Sequence, residues 1–139
     1  MAHWDDARIA FESRLATGWP TTPIHYWSSG VPFEPPTSGG YVALTVEEFS
    51  ARQITLGSTP QTHRYFGVVT LQVFVPERQG AKLAAGYCDT LDDLFRRAQF
   101  SLGNSGLITC RTPQARMVGV SDGWYQINLS IDYQRDKFH

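Results

Sequence analysis

The side chains best suited to hold a transition metal are four histidines, His3, His25, His63 and His139, and two cysteines, Cys88 and Cys110. None of the histidines pairs with another His, a Cys or a carboxylate at metal-ligand spacing, and neither Cys lies in a C-x-x-C motif. Acid–base chemistry needs converging groups, but Asp92 and Asp93 are adjacent and leave a helix in different directions. Cys88 has no His at helical spacing to act as its base. The GNSG run at 103–106 is a turn without the Lys-Ser/Thr of a phosphate cradle, and no G-x-S-x-G elbow occurs. No catalytic residue, cofactor or metal is therefore expected, and the sequence does not read as an enzyme. Arg64, Tyr65, Phe66 and Gly67 could stack on single-stranded nucleic acid. With 12 basic against 13 acidic residues, however, the chain lacks the excess of a nucleic-acid binder. Packing inside a hairpin is the plainer use of those four residues.

What remains is chemistry of association. Residues 1–95 hold six Lys/Arg and ten Asp/Glu, a net of −4; residues 96–139 hold six and three, a net of +3. Ten of the 12 basic residues are Arg, which suits interfaces better than Lys. This is either ordinary surface variation or a subunit whose two halves attract a second copy.

The elements that must carry such a surface can be read from periodicity. The length of 139 residues, 42% hydrophobic with eight Phe, six Tyr and four Trp, predicts one packed domain over 1–139. No apolar run approaches the ~20 residues of a membrane span, and the opening MAHWDDARIA lacks the pattern of a secretory signal. Cys88 and Cys110 read as buried, reduced thiols. Trp4, Ala7, Phe11 and Leu15 predict a helix over 3–17, stopped by Gly18 and Pro20. A Pro/Gly-rich connection follows to Gly40, with a short strand at 24–27; Trp27, Val31 and Phe33 are expected to pack it onto the body. Strands are predicted at 41–49 and 63–75, the second dense in β-branched residues and ended by Pro76. Between them, 50–62 is polar with a turn at 57–60, and both arms can continue as strands into one long hairpin. Leu83, Tyr87, Leu91, Leu94 and Phe95 predict a helix over 80–98. Strands follow at 107–111 and 116–120, interrupted by Pro113, then an Asp-Gly turn and a last strand at 124–133. In that strand Tyr125, Ile127, Leu129, Ile131 and Tyr133 share one face. The fold class expected is α+β: a two-layer sandwich, a mostly antiparallel (mixed) sheet with two helices packed on one face and a long protruding β-hairpin arm.

Four segments in this order carry a resemblance. They are ARIAFESRLAT before the Pro-rich link, VPFEPPTSGGYVALTV, the arm RQITLGSTPQTHRYFGVVTLQVFVP, and the ending DGWYQINLSIDYQRD. Together they span nearly the whole chain, which resembles the tail-terminator and minor-tail family of long-tailed bacteriophages and prophages.

The resemblance implies a structural protein that forms a ring, usually of six copies, on the finished tail tube. Such a ring stops tube polymerisation and offers a surface to the neck of the filled head. The partners implied are further copies of the chain, the tail tube protein and a head–tail connector or neck protein, with no sequence-specific nucleic acid and no membrane. The location implied is the tail or neck of the virion, assembled in the cytoplasm of the bacterial host. The candidate interface is Arg52, Gln53, Ile54, Thr55, Leu56 and Arg64 in the arm, reaching a neighbour or the tube, with Arg111 and Arg116 meeting acidic residues of another copy. Alternatives are a connector or neck protein of the same assembly, or a small α+β ligand-binding domain unrelated to phages.

Overall fold

The computed structural model describes residues 3–55 and 61–138. Leu56, the expected turn at 57–60 and His139 lie outside the described residues.

The spine of the sheet is β3, Thr62–Pro76. Its β-branched and aromatic residues favour extended backbone, and Pro76, without an N–H, ends it. β3 pairs antiparallel along its full length with β7, Trp124–Phe138, from Thr62↔Phe138 to Pro76↔Trp124. On its other side lies β2, Tyr41–Gln53, also antiparallel. β1, Ile24–Tyr26, runs parallel to β2 at one end of the sheet. The outer edge of β7 takes two short strands end to end. β5, Leu107–Cys110, lies beside 133–136, and β6, Gln114–Ser121, lies beside 124–130. Pro113 stands between them, where it cannot donate to a ladder. β4, Gln99–Phe100, pairs with β5 and completes a seven-stranded mixed sheet.

Two helices form the second layer. α1, Asp6–Gly18, packs against β2, and α2, Gly80–Phe95, lies across β3 and β7. Between the layers, alternate residues of three strands meet: Leu44, Leu71 and Leu129 are abreast, as are Val42, Val73 and Ile127. Each set faces the helices because strand side chains alternate. Phe11, Leu15, Leu91 and Phe95 close the core from above, all fully buried. This is the α+β two-layer sandwich expected, with both helices on one face.

Several details differ from the periodicity. Trp4 belongs to a 3-10 turn, His3–Asp5, and its ring is half exposed with its edge on Tyr65; the buried face of α1 is Ala7, Ala10, Phe11 and Leu15. α2 buries Ala84, Cys88, Leu91 and Phe95. Its larger residues Leu83, Tyr87 and Leu94 sit only partly buried, with Tyr87 against Trp19 and Leu94 over Gly18 at the end of α1. Beneath α2 the small Ala84 and Cys88 let the helix rest close on the sheet, Leu91 and Phe95 fill the core toward its end, and Tyr87 and Leu94 pack against the end of α1. In the connection to β2, Phe33 packs onto the body, stacked on His25 and against Tyr41. Trp27 packs on one side only: its ring lies 4.4 Å from that of His25 and its Nε1 donates to Gln72 Oε1 of β3 at 3.1 Å, while its other side is exposed. Val31 does not pack and is exposed. β7 runs several residues past its predicted end, to Phe138, while β2 continues to Gln53 as an arm of the long hairpin expected. Each polar extension is paired to the middle strand β3, which supplies the ladder that local propensity does not.

Candidate assembly interface

The long hairpin of β2 and β3 is in register out to Gln53↔His63, and the Ile54 amide donates to the Thr62 carbonyl at 2.9 Å. Beyond that ladder, side chains close the described part of the loop. The Thr62 amide donates to Thr55 Oγ1 at 2.8 Å, and Thr55 Oγ1 lies 2.9 Å from Gln61 Oε1. Gln53 Nε2 donates to the Thr55 carbonyl at 2.7 Å. Of the arm residues expected at an interface, Arg52, Gln53, Ile54 and Thr55 are exposed, and Leu56 lies outside the described residues. β7 accompanies β3 all the way to Thr62↔Phe138, so the hairpin is flanked on one side and open along β2.

A β-bulge at Phe49 decides which way the arm residues point. Residues 42, 44, 46 and 48 face the helices, so an unbroken ladder would put Arg52 there too. The register shift between Glu48 and Ser50 reverses the alternation, and Arg52 faces away from the helices beside Arg64. Two guanidiniums directly opposite repel. Asp136, across from Arg64 on β7, offsets this with a bidentate pair: Nε to Oδ1 at 2.8 Å and Nη2 to Oδ2 at 3.0 Å. Arg64 is thus engaged within its own chain.

Arg111 and Arg116 lie across the sheet from β2, beyond β3 and β7. The Arg111 amide donates to the Asp132 carbonyl at 2.9 Å. Its side chain is exposed and helps line a shallow groove of about 310 Å³ with Phe49, Phe66 and Asp132. Arg116, on the outer strand β6, sits opposite Asn128 and is exposed to solvent. The expected interface residues therefore form two groups, one along the hairpin and one along the outer edge of β7.

The opposed charge of the two sequence halves is partly spent inside the chain. Lys137 Nζ reaches Asp6 at 2.9 Å and Arg135 reaches Glu48 at 2.6 Å, each joining the C-terminal strand to the acidic half. The second pair is buried. Arg135 is fully enclosed and the Glu48 side chain is 5% exposed. Arg135 donates through Nε and Nη2 to the two Glu48 oxygens at 3.1 and 2.6 Å, and through Nη1 to the Ser105 carbonyl at 2.8 Å. Its guanidinium lies 4.4 Å from the centre of the Tyr65 ring. The Tyr133 hydroxyl donates to Glu48 at 3.0 Å. Burial first, and the Glu48 carboxylate second, hold that hydroxyl protonated well above the usual tyrosine range. Gly67 makes the room: a Cβ there would lie 2.6 Å from the Tyr133 ring and 2.5 Å from the Glu47 carbonyl. This network ties the root of the hairpin to β7 and to the loop before β5. It was missed by the sequence reading, although a signal exists. The inward positions of β2 and of β7 both run from apolar residues into a charge, Glu48 in one and Arg135 in the other, of opposite sign.

Among the described residues no three His, Cys, Asp or Glu side chains cluster as metal ligands. No helix among them is long and apolar enough to cross a membrane. Burial, aided by Asp89 and Asp92, pushes the Cys88 thiol up to about 11, and burial pushes Cys110 up to about 12. Both are thiols rather than thiolates at neutral pH.

A family model described as phage tail terminator protein matches residues 6–133. One solved structure, titled only by a sequence identifier, is similar with a TM-score of 0.71 at 23% identity. The similarity covers 96% of this chain and 94% of that one, and it speaks to the fold. Comparison with curated proteins gives no significant match.

Proposed function

This chain belongs to the phage tail terminator family, and from that membership we propose that it caps the tail tube as a ring of copies, six by the family resemblance. The ring ends tube polymerisation and offers its free side to the head or neck. The role is structural, in the tail of the virion. The family match over 6–133 carries the reading. The fold supplies parts that suit it: a hairpin held stiffly at its root by a buried ion pair, and exposed arginines along another edge. In this reading Arg52, Gln53, Ile54, Thr55 and Leu56 reach the tube or a neighbouring copy. Arg64 stiffens that arm through Asp136 while presenting its edge. Arg111 and Arg116 meet carboxylates of another copy. A ring requires that one surface of a copy fit a different surface of the next.

The test mixes purified protein with tail tubes of the matching phage and images them by negative stain. Rings at one end of each tube, and tubes that no longer lengthen when tube protein is added, are expected. Ile54→Asp, at an exposed position, is expected to keep the fold and lose capping. Tubes that stay uncapped with the unaltered protein refute the terminator role and favour a connector acting elsewhere in the neck.

A further inference from the structure

We propose that the β6 edge of the sheet and the outer face beside β1 are the matching halves of one contact between copies of this chain, the β6 edge of one seating on the β1 flank of the next. The proposal rests on the ring reading above and names the surfaces that build it.

The first half is β6. It pairs with β7 alone, and the helix layer stops short of it, since α2 lies over β3 and β7. Met117 is 70% exposed, Val118 51% and Val120 54%. A solitary outer strand is ordinarily kept from sticking by charges; this one has a single charge, Arg116. Its backbone is nevertheless blunted. Pro113 precedes it, and a bulge between Met117 and Gly119, with Gly119 at φ 104°, breaks the edge. Contact is therefore made by side chains rather than by adding a strand. Exposed apolar groups gathered on one edge are the mark of a surface that another molecule covers.

The second half lies toward the opposite end of the strand order, on the face of β1 and β2 turned away from the helices. Trp27 and Val31 follow β1; Val31 is 67% exposed, and Trp27, held by His25 and Gln72 on one side, is 56% exposed on the other. Phe33 is stacked on His25 of β1, with ring centroids 4.7 Å apart and planes 7° off parallel, which fixes the neighbouring Glu34 at this flank. Glu34 is exposed, and among the described residues neither it nor Arg116 makes an ion pair. Each half thus offers exposed apolar side chains and one unpaired charge, of opposite sign. Two β6 edges meeting each other would bring like charges onto one small patch. A β6 edge meeting a β1 flank pairs Arg116 with Glu34 and covers apolar surface on both. Because the two halves occupy different parts of the sheet, one the β6 edge and one the outer face beside β1, every copy can use both at once. Such a contact repeats from copy to copy and closes if the rotation allows.

Cysteine placement tests this. Val31→Cys, Val118→Cys and the double variant are each treated with a short bis-maleimide in the presence of tail tubes, with rings counted by negative stain in the same samples. The native thiols are buried. The double variant is expected to give a ladder of covalent multimers up to the ring size, and each single variant none. Arg116→Glu in the double variant should abolish the ladder, and adding Glu34→Arg should restore it. Rings without a ladder overturn the assignment of these surfaces while leaving the ring reading intact. Covalent dimers from Val118→Cys alone overturn it in favour of a symmetric β6 contact. No multimer of any kind, on tubes or free, overturns both.

Discussion

Replacing Arg135 by Met removes the cation paired with the buried Glu48 carboxylate while keeping much of the side-chain volume. Arg135 is fully enclosed, Glu48 nearly so, and three charge-assisted hydrogen bonds join Arg135 to Glu48 and Ser105. Taking one partner from a buried ion pair leaves an uncompensated charge and costs about 3–5 kcal/mol. The unfolding entropy of a domain scales as roughly 2 cal/mol/K per residue, so for this chain a loss of that size lowers Tm by about 10–17 °C. The assay is urea unfolding followed by far-UV circular dichroism, with a thermal melt as a second reading. The double variant Arg135→Met with Glu48→Leu separates loss of the pair from loss of packing. It removes the stranded charge and leaves only the Tyr133 hydroxyl and the Ser105 carbonyl short of a partner. The Ser105 carbonyl loses its partner in the single variant too, so the double variant exchanges the stranded charge for one further orphaned neutral group, about 1–3 kcal/mol, and should recover part of the loss. A single variant within about 1 kcal/mol of the parent, or a double variant no better than the single, refutes the idea that a buried pair anchors the hairpin root.

Gly67→Ala places a methyl against the Tyr133 ring and the Glu47 carbonyl; overpacking of this kind costs about 1–3 kcal/mol, read from the same urea curves, and an unchanged midpoint would mean the strands part without strain. Arg64→Ala breaks a pair that is about one third exposed, and by the weakness of exposed pairs it should cost less than about 1 kcal/mol, shrinking further in salt. Cys88 and Cys110, with thiols raised to about 11 and about 12 from an ordinary 9.0, should resist a thiol reagent in the native protein at pH 8 and react only in denaturant. The sign of the linkage follows. Their folded values lie above the unfolded one, so this contribution to stability is whole below pH 9 and is lost as pH rises from there through about 11 and 12. Stability that climbs over that range in the cysteine-containing protein but not in a double Cys→Ala variant would contradict it.

Much of the fold was legible in the residues because the strongest signals are local. The run 68–75 is extended by its own β-branched content, and Pro76 ends it whatever surrounds it. The Pro113 break and the Asp-Gly turn located β5, β6 and the start of β7. The arm residues and the exposed arginines Arg111 and Arg116 could be named from type and position, and the resemblance to a tail-terminator family could be read from four ordered segments.

What the tertiary structure alone decided concerns direction and partnership. One extra residue at Phe49 turns every following side chain of β2 to the other face, and a bulge has no signature in alternation that is already polar. The partners Glu48 and Arg135 stand 87 residues apart, and Arg64 and Asp136 stand 72 apart. Their pairing follows from the register of β7 on β3, which no local pattern specifies. Trp27 and Val31 illustrate the same limit from the other side. Apolar type predicted that both would pack, but burial depends on whether a layer lies above them, and the helices cover only the opposite face: Trp27 lies on His25 and Gln72 with its other side bare, and Val31 stays exposed. Sequence settles what each segment prefers by itself; which surfaces stay uncovered, and so can meet another molecule, follows only once all the segments have competed for the same core.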